Sequence, residues 1–296
     1  MSHAYFIDSL RTHFSKPSKE IISFWGEDTN IIDTDSGKIR VRDTDRNKPA
    51  IILLPDGPTV IEHFAPLINL LAPYFRVVCF DMPGFGFSYP NLRYDYGLEM
   101  SAQVIIDVMN ALNIKQAALS SSCVNSHSSV IAAKQFPDRI SRLILAQTPS
   151  LDAMKNQWVE RNIPKTIKVP YVGQTVNALM AKKLSSLWFH RSLPKSSQLK
   201  EDFTRHASVA LHSGGCFCLA SIVQKMAKEA DYEFKELEIP TTMVWGNKDW
   251  SHKNTDFETF LENVPDCDII EFDNCGHFPN IEASDKFAAL VKEISK

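Results

Sequence analysis

The sequence has 296 residues, a net charge of −3 and a hydrophobic content of 44%, enough for one large domain with a substantial core. Its 32 Lys and Arg residues form no basic stripe, so we expect no nucleic-acid partner, and apolar runs such as 50–54 are far shorter than the roughly 20 residues that span a bilayer. The first residues lack a basic segment followed by a long apolar stretch, so we expect a cytoplasmic protein acting on a small molecule and leave its oligomeric state open.

Strand-like and helix-like segments alternate through most of the chain, which predicts a mainly parallel, eight-stranded sheet with helices on both faces. The first two predicted strands form an antiparallel pair, 21–25 and 38–43, turned at 35–37. The other predicted strands are 50–54, 76–80, 116–120, 142–146, 242–246 and 269–272. The predicted helices are 61–71, 98–112, 124–136 and 282–294.

The alternation breaks between residues 150 and 237, where the sequence becomes helical and irregular. An insertion of this length between two strands is expected to cover the carboxyl edge of a parallel sheet, where ligands bind. We therefore predict a core formed by residues 1–149 and 238–296, with a helical cap at 150–237.

The six cysteines lack the spacing of a disulfide framework or of a zinc site, so neither a metal nor another cofactor is expected. One of them, Cys123, lies between the strand at 116–120 and a helix. A chain that passes from strand to helix within about two residues must turn sharply, which exposes the central side chain to ligands beside the helix N-terminus. We therefore expect Cys123 to be a nucleophile with a lowered thiol pKa.

Two further polar residues follow predicted strands at the same edge of the sheet. Asp249 comes just after the strand at 242–246, and His277 just after the strand at 269–272. The order Cys123, Asp249, His277 suits a relay in which the histidine takes the thiol proton and the aspartate orients the imidazole.

Six segments carry a resemblance to a known family. They are LLPDGPT at 53–59, DMPGFGFS at 81–88, SSCVN at 121–125, FPDRI at 136–140, WGNKD at 245–249 and GH at 276–277. With these motifs in order, the chain resembles the α/β-hydrolase fold superfamily over nearly its whole length. The insertion resembles the helical cap of the haloalkane-dehalogenase and epoxide-hydrolase branch.

The resemblance implies acyl chemistry in which backbone N–H groups stabilise an oxyanion. Val124 and Gly57 are the expected donors, because Pro58 has no N–H. Dehalogenation and epoxide opening are not expected, since they need a carboxylate where this chain has Cys123.

Three positions depart from the family pattern. Ser121 and Asn125 occupy places where the sharp turn usually has glycine, and Pro55-Asp56 replaces a His-Gly pair. An ionised Asp56 directed into the site would oppose an oxyanion.

Other residues receive structural interpretations. His127 is expected to be a packed helix residue, and His252 a solvated loop residue. Asp81 and Ser88 are expected to hold their own loop. A further group could line an acyl pocket or belong to the core: Met180, Trp188, Phe189, His190, Phe203 and Phe217.

Three functions stay open at this point. The leading hypothesis is a hydrolase that cleaves an ester, thioester or lactone of a small to medium apolar acyl group through a thioester on Cys123. The second is an acyltransferase that uses the same three residues. The third is a ligand-binding or sensor protein with weak catalysis, motivated by Asp56, Ser121 and Asn125.

Overall fold

A computed structural model describes residues 3–230, 232 and 237–295. Its strands in chain order are β1 (Thr29–Thr34), β2 (Gly37–Asp43), β3 (Ala50–Leu54), β4 (Arg76–Phe80), β5 (Phe85–Gly86), β6 (Tyr89–Pro90), β7 (Ala117–Ser122), β8 (Ile140–Ala146), β9 (Cys216–Phe217), β10 (Thr241–Gly246) and β11 (Cys267–Phe272).

The main sheet has the order β1-β2-β4-β3-β7-β8-β10-β11, and the short β6 pairs with β2. Strands β4, β3, β7, β8, β10 and β11 are parallel, whereas β1 and β2 are antiparallel to their neighbours. The predicted mainly parallel sheet is thereby confirmed. Because β7 is central, the residue that follows it lies in the middle of the carboxyl edge.

The helices in chain order are α1 (Tyr5–His13), α2 (Lys19–Ser23), α3 (Ala65–Leu71), α4 (Leu98–Ala111), α5 (Val124–Gln135), α6 (Leu151–Ala153), α7 (Glu160–Asn162), α8 (Lys165–Lys168), α9 (Val172–Ser192), α10 (Leu199–His212), α11 (Leu219–Met226), α12 (Thr259–Asn263), α13 (Pro279–Glu282) and α14 (Ser284–Ile294). A π-helical turn at Met154–Val159 joins α6 to α7, and a 3₁₀ turn at Ile61–Phe64 precedes α3.

One predicted element assignment is wrong. Residues 21–25 fall on α2 and the turn after it, and the partner of β2 is β1, eight residues later. A five-residue apolar run fits either structure, and here Ser18 caps a helix by accepting a hydrogen bond from the N–H of Ile21 at 3.2 Å. The predicted terminal helix at 282–294 corresponds to α14, which begins two residues later and is preceded by the short α13.

Helices cover both faces of the sheet, because successive side chains of β3 are buried in different hydrophobic clusters. Ile52 and Leu54 pack into one hydrophobic cluster, while Ile51 and Leu53 pack into the other. Successive side chains of a strand point to opposite faces, so a strand without polar positions must be covered on both sides.

The helices between β8 and β10, which we call the cap helices (residues 151–226), connect to the core at the carboxyl edge. Strand β9 in this segment pairs antiparallel with β5, which belongs to the loop after β4. The predicted domain limits stay a prediction, and residues 231 and 233–236 of the predicted cap lie outside the described residues. Within the described residues, none of the helices combines the length and apolarity needed to cross a membrane.

Candidate active site

Cys123 occupies a sharp turn between β7 and α5. Its backbone has φ 53° and ψ −125°, a conformation that a side chain with a Cβ rarely adopts. The turn is held by a hydrogen bond of 2.9 Å from the N–H of Cys123 to the carbonyl of Ala146, at the end of β8. The strained turn places the thiol at the bottom of a cavity, where it is 1% exposed.

Asn125 has a structural partner that explains its presence near the turn. Its side-chain amide donates a hydrogen bond of 2.9 Å to the carbonyl of Pro55. This bond ties the start of α5 to the loop after β3, which also carries Asp56 and Gly57. Asn125, which stands where the family pattern has glycine, therefore holds the start of α5 and the loop after β3 together.

His277 is positioned by close backbone packing around two glycines. A Cβ on Gly276 would lie 2.2 Å from the carbonyl of Ser192, and a Cβ on Gly246 would lie 2.1 Å from the carbonyl of Gly276. The N–H of His277 donates to the same carbonyl of Ser192 at 2.9 Å. The end of α9 thus fixes the histidine backbone.

Asp249 holds the imidazole of His277. Its Oδ2 accepts a hydrogen bond of 2.7 Å from Nδ1 of His277 and one of 2.8 Å from the side-chain amide of Gln147. Its Oδ1 accepts a hydrogen bond of 2.8 Å from the N–H of Ser251. Gln147 was not among the predicted site residues. Its place directly after β8, at the same edge of the sheet as the other site residues, could have indicated it.

Asp56 is directed into the site. Its Oδ2 lies 3.5 Å from Nε2 of His277, the ring nitrogen that Asp249 leaves free. Its side chain also lines the cavity together with Cys123. The imidazole is therefore placed between two carboxylates and beside a thiol.

The charges of His277 and Asp249 depend on their contact with each other, which outweighs their burial. Burial alone lowers the pKa of an imidazole, but the charge and hydrogen bond of Asp249, with contributions from Asp56 and Cys123, raise the pKa of His277 well above its usual value. Burial also opposes ionisation of Asp249, yet the interaction with His277 lowers its pKa. Both shifts favour the ion pair of an imidazolium and a carboxylate.

The expected acidity of the Cys123 thiol is wrong. Burial raises the pKa of Cys123 to about 11, the negative charge of Asp56 adds to the rise, and His277 offsets only part of it. Burial likewise raises the pKa of Asp56, with partial compensation by His277. The resting site holds a neutral thiol.

A cavity of about 200 Å³ lies above Cys123. Its walls are mostly apolar and come from the loop after β3, from Phe85 and from the cap helices, including Trp158, Leu184, Trp188, Phe217 and Met226. Arg191 brings the only guanidinium that contacts this cavity among the described residues, and its Nε has no hydrogen-bond partner there. The cavity can therefore bind an apolar group together with an anionic one.

The two expected oxyanion donors both line the cavity beside Cys123. Val124 is the first residue of α5, so its N–H has no acceptor within the helix. A Cβ on Gly57 would lie 2.3 Å from Cδ1 of Phe85, so only glycine fits between that ring and the loop. Their role as oxyanion donors stays a prediction.

Several other expectations can be compared with the structure. His127 is fully buried and hydrogen-bonded to the hydroxyl of Tyr232, as expected for a packed residue. Asp81 and Ser88 bind backbone N–H groups of Ile61, Phe87 and Arg40, in agreement with a structural role. Of the proposed pocket residues, Trp188 and Phe217 line the cavity, whereas Phe189 and Phe203 are core, Met180 is partly exposed and His190 is exposed.

The expectation for His252 is wrong, because it is buried against the site. Its ring lies parallel to that of His277, with centroids 5.3 Å apart, and neither ring nitrogen has a hydrogen-bond partner among the described residues. Burial lowers the pKa of His252 to about 3, so the ring is neutral. The folding of a 3₁₀ turn at Trp250–His252, capped by Asp249, brings it inward.

Cys123, His252 and His277 could also hold a metal ion, since their ligand atoms all lie within 4.8 Å of one another. Sulfur and imidazole nitrogen are the ligands that zinc prefers. Bonds of about 2.0 to 2.3 Å in a tetrahedral site require ligands roughly 3.5 Å apart, so these side chains would have to approach further. As placed, the group is better suited to proton transfer.

Two hydrolases are similar to this chain in sequence. The chain is 23% identical to a 2-hydroxy-6-oxononadienedioate/2-hydroxy-6-oxononatrienedioate hydrolase from Burkholderia vietnamiensis, over 89% of this chain and 93% of the relative. It is also 23% identical to a 2-hydroxy-6-oxo-6-phenylhexa-2,4-dienoate hydrolase from Burkholderia cepacia, over 86% and 90% of the two chains.

Solved structures are similar in fold. The crystal structure of an epoxide hydrolase from Vigna radiata matches with a TM-score of 0.72 and 17% identity, over 90% of this chain and 96% of that one. An enol-lactonase from Burkholderia xenovorans matches with a TM-score of 0.68 and 19% identity, over 90% and 100%. The model of the alpha/beta hydrolase fold family matches residues 49–284, most of the chain. This match covers most of the chain and agrees with the parallel sheet and the turn at Cys123. The chain therefore belongs to the α/β-hydrolase fold family.

Proposed function

We propose that this protein is an acyl hydrolase in which Cys123 is the nucleophile, His277 the proton donor and acceptor, and Asp249 the residue that orients His277. The observation that carries the proposal is the position of the Cys123 thiol at a strained turn, beside an imidazole held by a carboxylate at 2.7 Å. A nucleophile, a base and an orienting carboxylate at one site are the parts that acyl transfer requires.

The resting charges define how protons must move. Because the contacts of His277 favour its protonated form, the carboxylate of Asp56 beside Nε2 is the proposed acceptor of the thiol proton. The S–H bond breaks, its proton passes to Asp56 directly or through Nε2 of His277, and sulfur bonds to the carbonyl carbon. A protonated Asp56 no longer repels the oxyanion, which Gly57 and Val124 are placed to stabilise.

The remaining steps restore the starting state. The imidazolium of His277 gives its Nε2 proton to the leaving group, which departs and leaves a thioester on Cys123. Neutral His277 then takes a proton from water as the water oxygen attacks the thioester. The departing sulfur recovers its proton from Asp56, and the carboxylic acid is released.

The cavity supports a substrate with a small to medium apolar acyl group. Its volume of about 200 Å³ and its apolar walls support a group of this kind. Arg191 adds a cationic group at the wall, so a substrate that also carries a carboxylate gains an ion pair in the cavity.

The names of the relatives favour a second substrate class. They describe 2-hydroxy-6-oxo acids, which contain both a carboxylate and a ketone. A carboxylate at Arg191 and a carbonyl at Cys123 would accommodate such a compound. Parallel assays with a 6-oxo acid and with esters of matched length separate the two classes, since only one should be turned over efficiently.

The test of the proposal is turnover of p-nitrophenyl esters of increasing acyl length. We expect release of p-nitrophenol, fastest for short to medium chains, and its loss in Cys123→Ala. Cys267→Ala is the matched control, because Cys267 is also buried but lies at the start of β11, away from the site. If both variants hydrolyse the esters like the parent protein, or if no ester is cleaved, the proposal is wrong.

Two other functions stay predictions. Acyl transfer would use the same thioester, and added amines or thiols would then accelerate p-nitrophenol release. Ligand sensing is favoured by one observation, the neutral thiol of Cys123 beside Asp56. A ligand that binds the cavity tightly without being converted, with equal affinity in Cys123→Ala, would support sensing.

A further inference from the structure

The cap helices carry an unusual distribution of charge. The forty residues from Arg161 to Lys200 include eight Lys and Arg residues but no Asp or Glu, which leaves 24 basic against 35 acidic residues in the rest of the chain. A protein with a net charge of −3 thus has a strongly cationic segment over its candidate active site. Such a local excess creates a positive potential that attracts anionic partners.

The same segment exposes apolar side chains. Helix α9 presents Val172, Leu179 and Leu187, which are 47%, 82% and 57% exposed. Positions 172, 179, 183 and 187 recur at the spacing of one helix face, so exposed Lys183 lies within this apolar stripe. The turn before α9 adds Val169 and Tyr171, which are 47% and 53% exposed, and the neighbouring α8 begins with the exposed Lys165.

From these features we propose that the cap surface, defined by Lys165, Val169, Tyr171, Val172, Leu179, Lys182, Lys183 and Leu187, binds the surface of an anionic lipid bilayer. Apolar side chains on a helix that lies in the interface enter the boundary of the acyl chains, while nearby lysines pair with anionic headgroups. Each lysine near an anionic membrane surface adds to the attraction.

A second copy of the chain fits this surface less well. In a two-fold dimer the same patch faces itself, so the lysines of one subunit would meet those of the other. Like charges brought together at an interface oppose association. A bilayer offers apolar and anionic groups together and therefore complements both features of the cap surface.

The cap surface is continuous with the cavity above Cys123. Leu187 is exposed on α9 and also lines the cavity, and Leu184, Trp188 and Arg191 of the same helix form part of its wall. A bilayer in contact with α9 would lie next to the cavity wall, so an apolar substrate could enter from the lipid. The binding itself does not depend on the proposed acyl chemistry, because it is measured without a substrate.

The test is sedimentation of the full chain with vesicles, made either of phosphatidylcholine alone or of an equal mixture of phosphatidylcholine and phosphatidylglycerol. We expect binding to the mixed vesicles to exceed binding to phosphatidylcholine at least tenfold at low salt, and to weaken in 0.5 M NaCl. The variant Leu179→Gln/Lys183→Glu should lose at least tenfold in affinity for the mixed vesicles.

The matched control is Tyr74→Gln/Lys115→Glu. Tyr74 and Lys115 are exposed and lie just before β4 and β7, at the edge of the sheet opposite the cap helices. The control makes the same changes of charge and polarity and should bind like the parent protein. Absence of binding to mixed vesicles, or equal losses in both variants, would overturn the proposal. A parent dimer that the cap variant converts to monomer, without vesicle binding, would overturn it in favour of self-association.

Discussion

Asp56 lies 3.5 Å from Nε2 of His277, at the ring nitrogen opposite the one that Asp249 binds. This contact gives the imidazole two carboxylate neighbours and places a negative charge beside the Cys123 thiol. In the proposed reaction Asp56 stores the thiol proton while sulfur is bonded to the acyl group. Two measurements on one variant can separate that role from simple repulsion.

Replacing Asp56 with Asn should have opposite effects on thiol reactivity and on catalysis. Because the charge of Asp56 raises the pKa of Cys123, its removal should lower the pKa of the thiol. Alkylation of Cys123 by iodoacetamide at pH 8 should become severalfold faster, because a larger fraction of the thiol is then ionised. Ester hydrolysis should become about a hundredfold slower, since the proton acceptor is gone.

The control for this variant is Asp33→Asn, on the exposed surface of β1, which should change neither rate. Faster ester hydrolysis in Asp56→Asn would mean that Asp56 only repels the oxyanion. Unchanged alkylation would mean that its charge does not act on Cys123.

Replacing Asp249 with Asn should convert His277 from a charged to a neutral ring at pH 7. Burial alone lowers the pKa of this imidazole, and the interaction with Asp249 is the main effect that raises it. The variant should also lose about 3 kcal/mol of stability, because one partner of a buried ion pair is removed. NMR titration of the His277 ring nitrogens measures the charge, and urea unfolding measures the stability.

The same pair makes a pH-dependent contribution to stability. The pKa of His277 is raised in the folded state, so its stabilising contribution is complete below about pH 6.5 and is lost as pH rises through the raised value. The difference in unfolding free energy between the parent protein and Asp249→Asn should therefore shrink in alkaline solution. A difference that grows between pH 8 and pH 10 would contradict this interpretation.

His252 should make the protein sensitive to acid. Burial lowers its pKa to about 3, below the roughly 6.5 of an unfolded chain, so between these values the unfolded state binds more protons. Its contribution therefore destabilises the fold as pH falls from 6.5, by up to about 1.4 kcal/mol per pH unit. His252→Leu should lose less stability between pH 7 and pH 5 than the parent protein does.

His13→Leu provides the control, because it makes the same substitution at an exposed position. His252→Leu should also be at least as stable as the parent protein at pH 7, since it removes two buried nitrogens that have no hydrogen-bond partner among the described residues. Marked destabilisation at pH 7 would show that these nitrogens have partners in solution.

Gly57→Ala should disturb the site through Phe85. The new Cβ would lie 2.3 Å from Cδ1 of the ring, so either the ring or the loop must move, at a cost of about 1 to 3 kcal/mol. Ester hydrolysis should fall at least tenfold, because Gly57 is a proposed oxyanion donor. The double variant Gly57→Ala/Phe85→Leu should lose less stability than the sum of the losses in the two single variants, as expected for residues in contact. Additive losses would show that the ring does not collide with the new methyl group.

The sequence predicted the sheet and the three residues brought together at its edge, because both depend on local signals. Buried strands appear as short apolar runs, and Cys123, Asp249 and His277 each follow a strand that ends at the same edge. Such runs do not separate strands from short helices, so the prediction for residues 21–25 was wrong.

The electrostatic properties of the site could not be predicted from the sequence. Whether Asp56 points inward depends on the loop after β3, which Asn125 holds through a contact between residues 70 positions apart. The burial of His252 depends on the turn that Asp249 caps and on packing against His277. Burial and the charge of Asp56 raise the pKa of the Cys123 thiol, whereas its place at a helix N-terminus predicts a lowered pKa.

Acylation of Cys123 can be measured as the mass of the protein quenched in acid within milliseconds of mixing with a p-nitrophenyl ester. The proposal predicts an added mass equal to one acyl group, located by peptide mapping on the peptide that contains Cys123 and absent from Cys123→Ala. The adduct should accumulate further in His277→Gln if any acylation persists, since water is then not activated. Hydrolysis without an adduct on Cys123, or an adduct that persists in Cys123→Ala, would contradict the account.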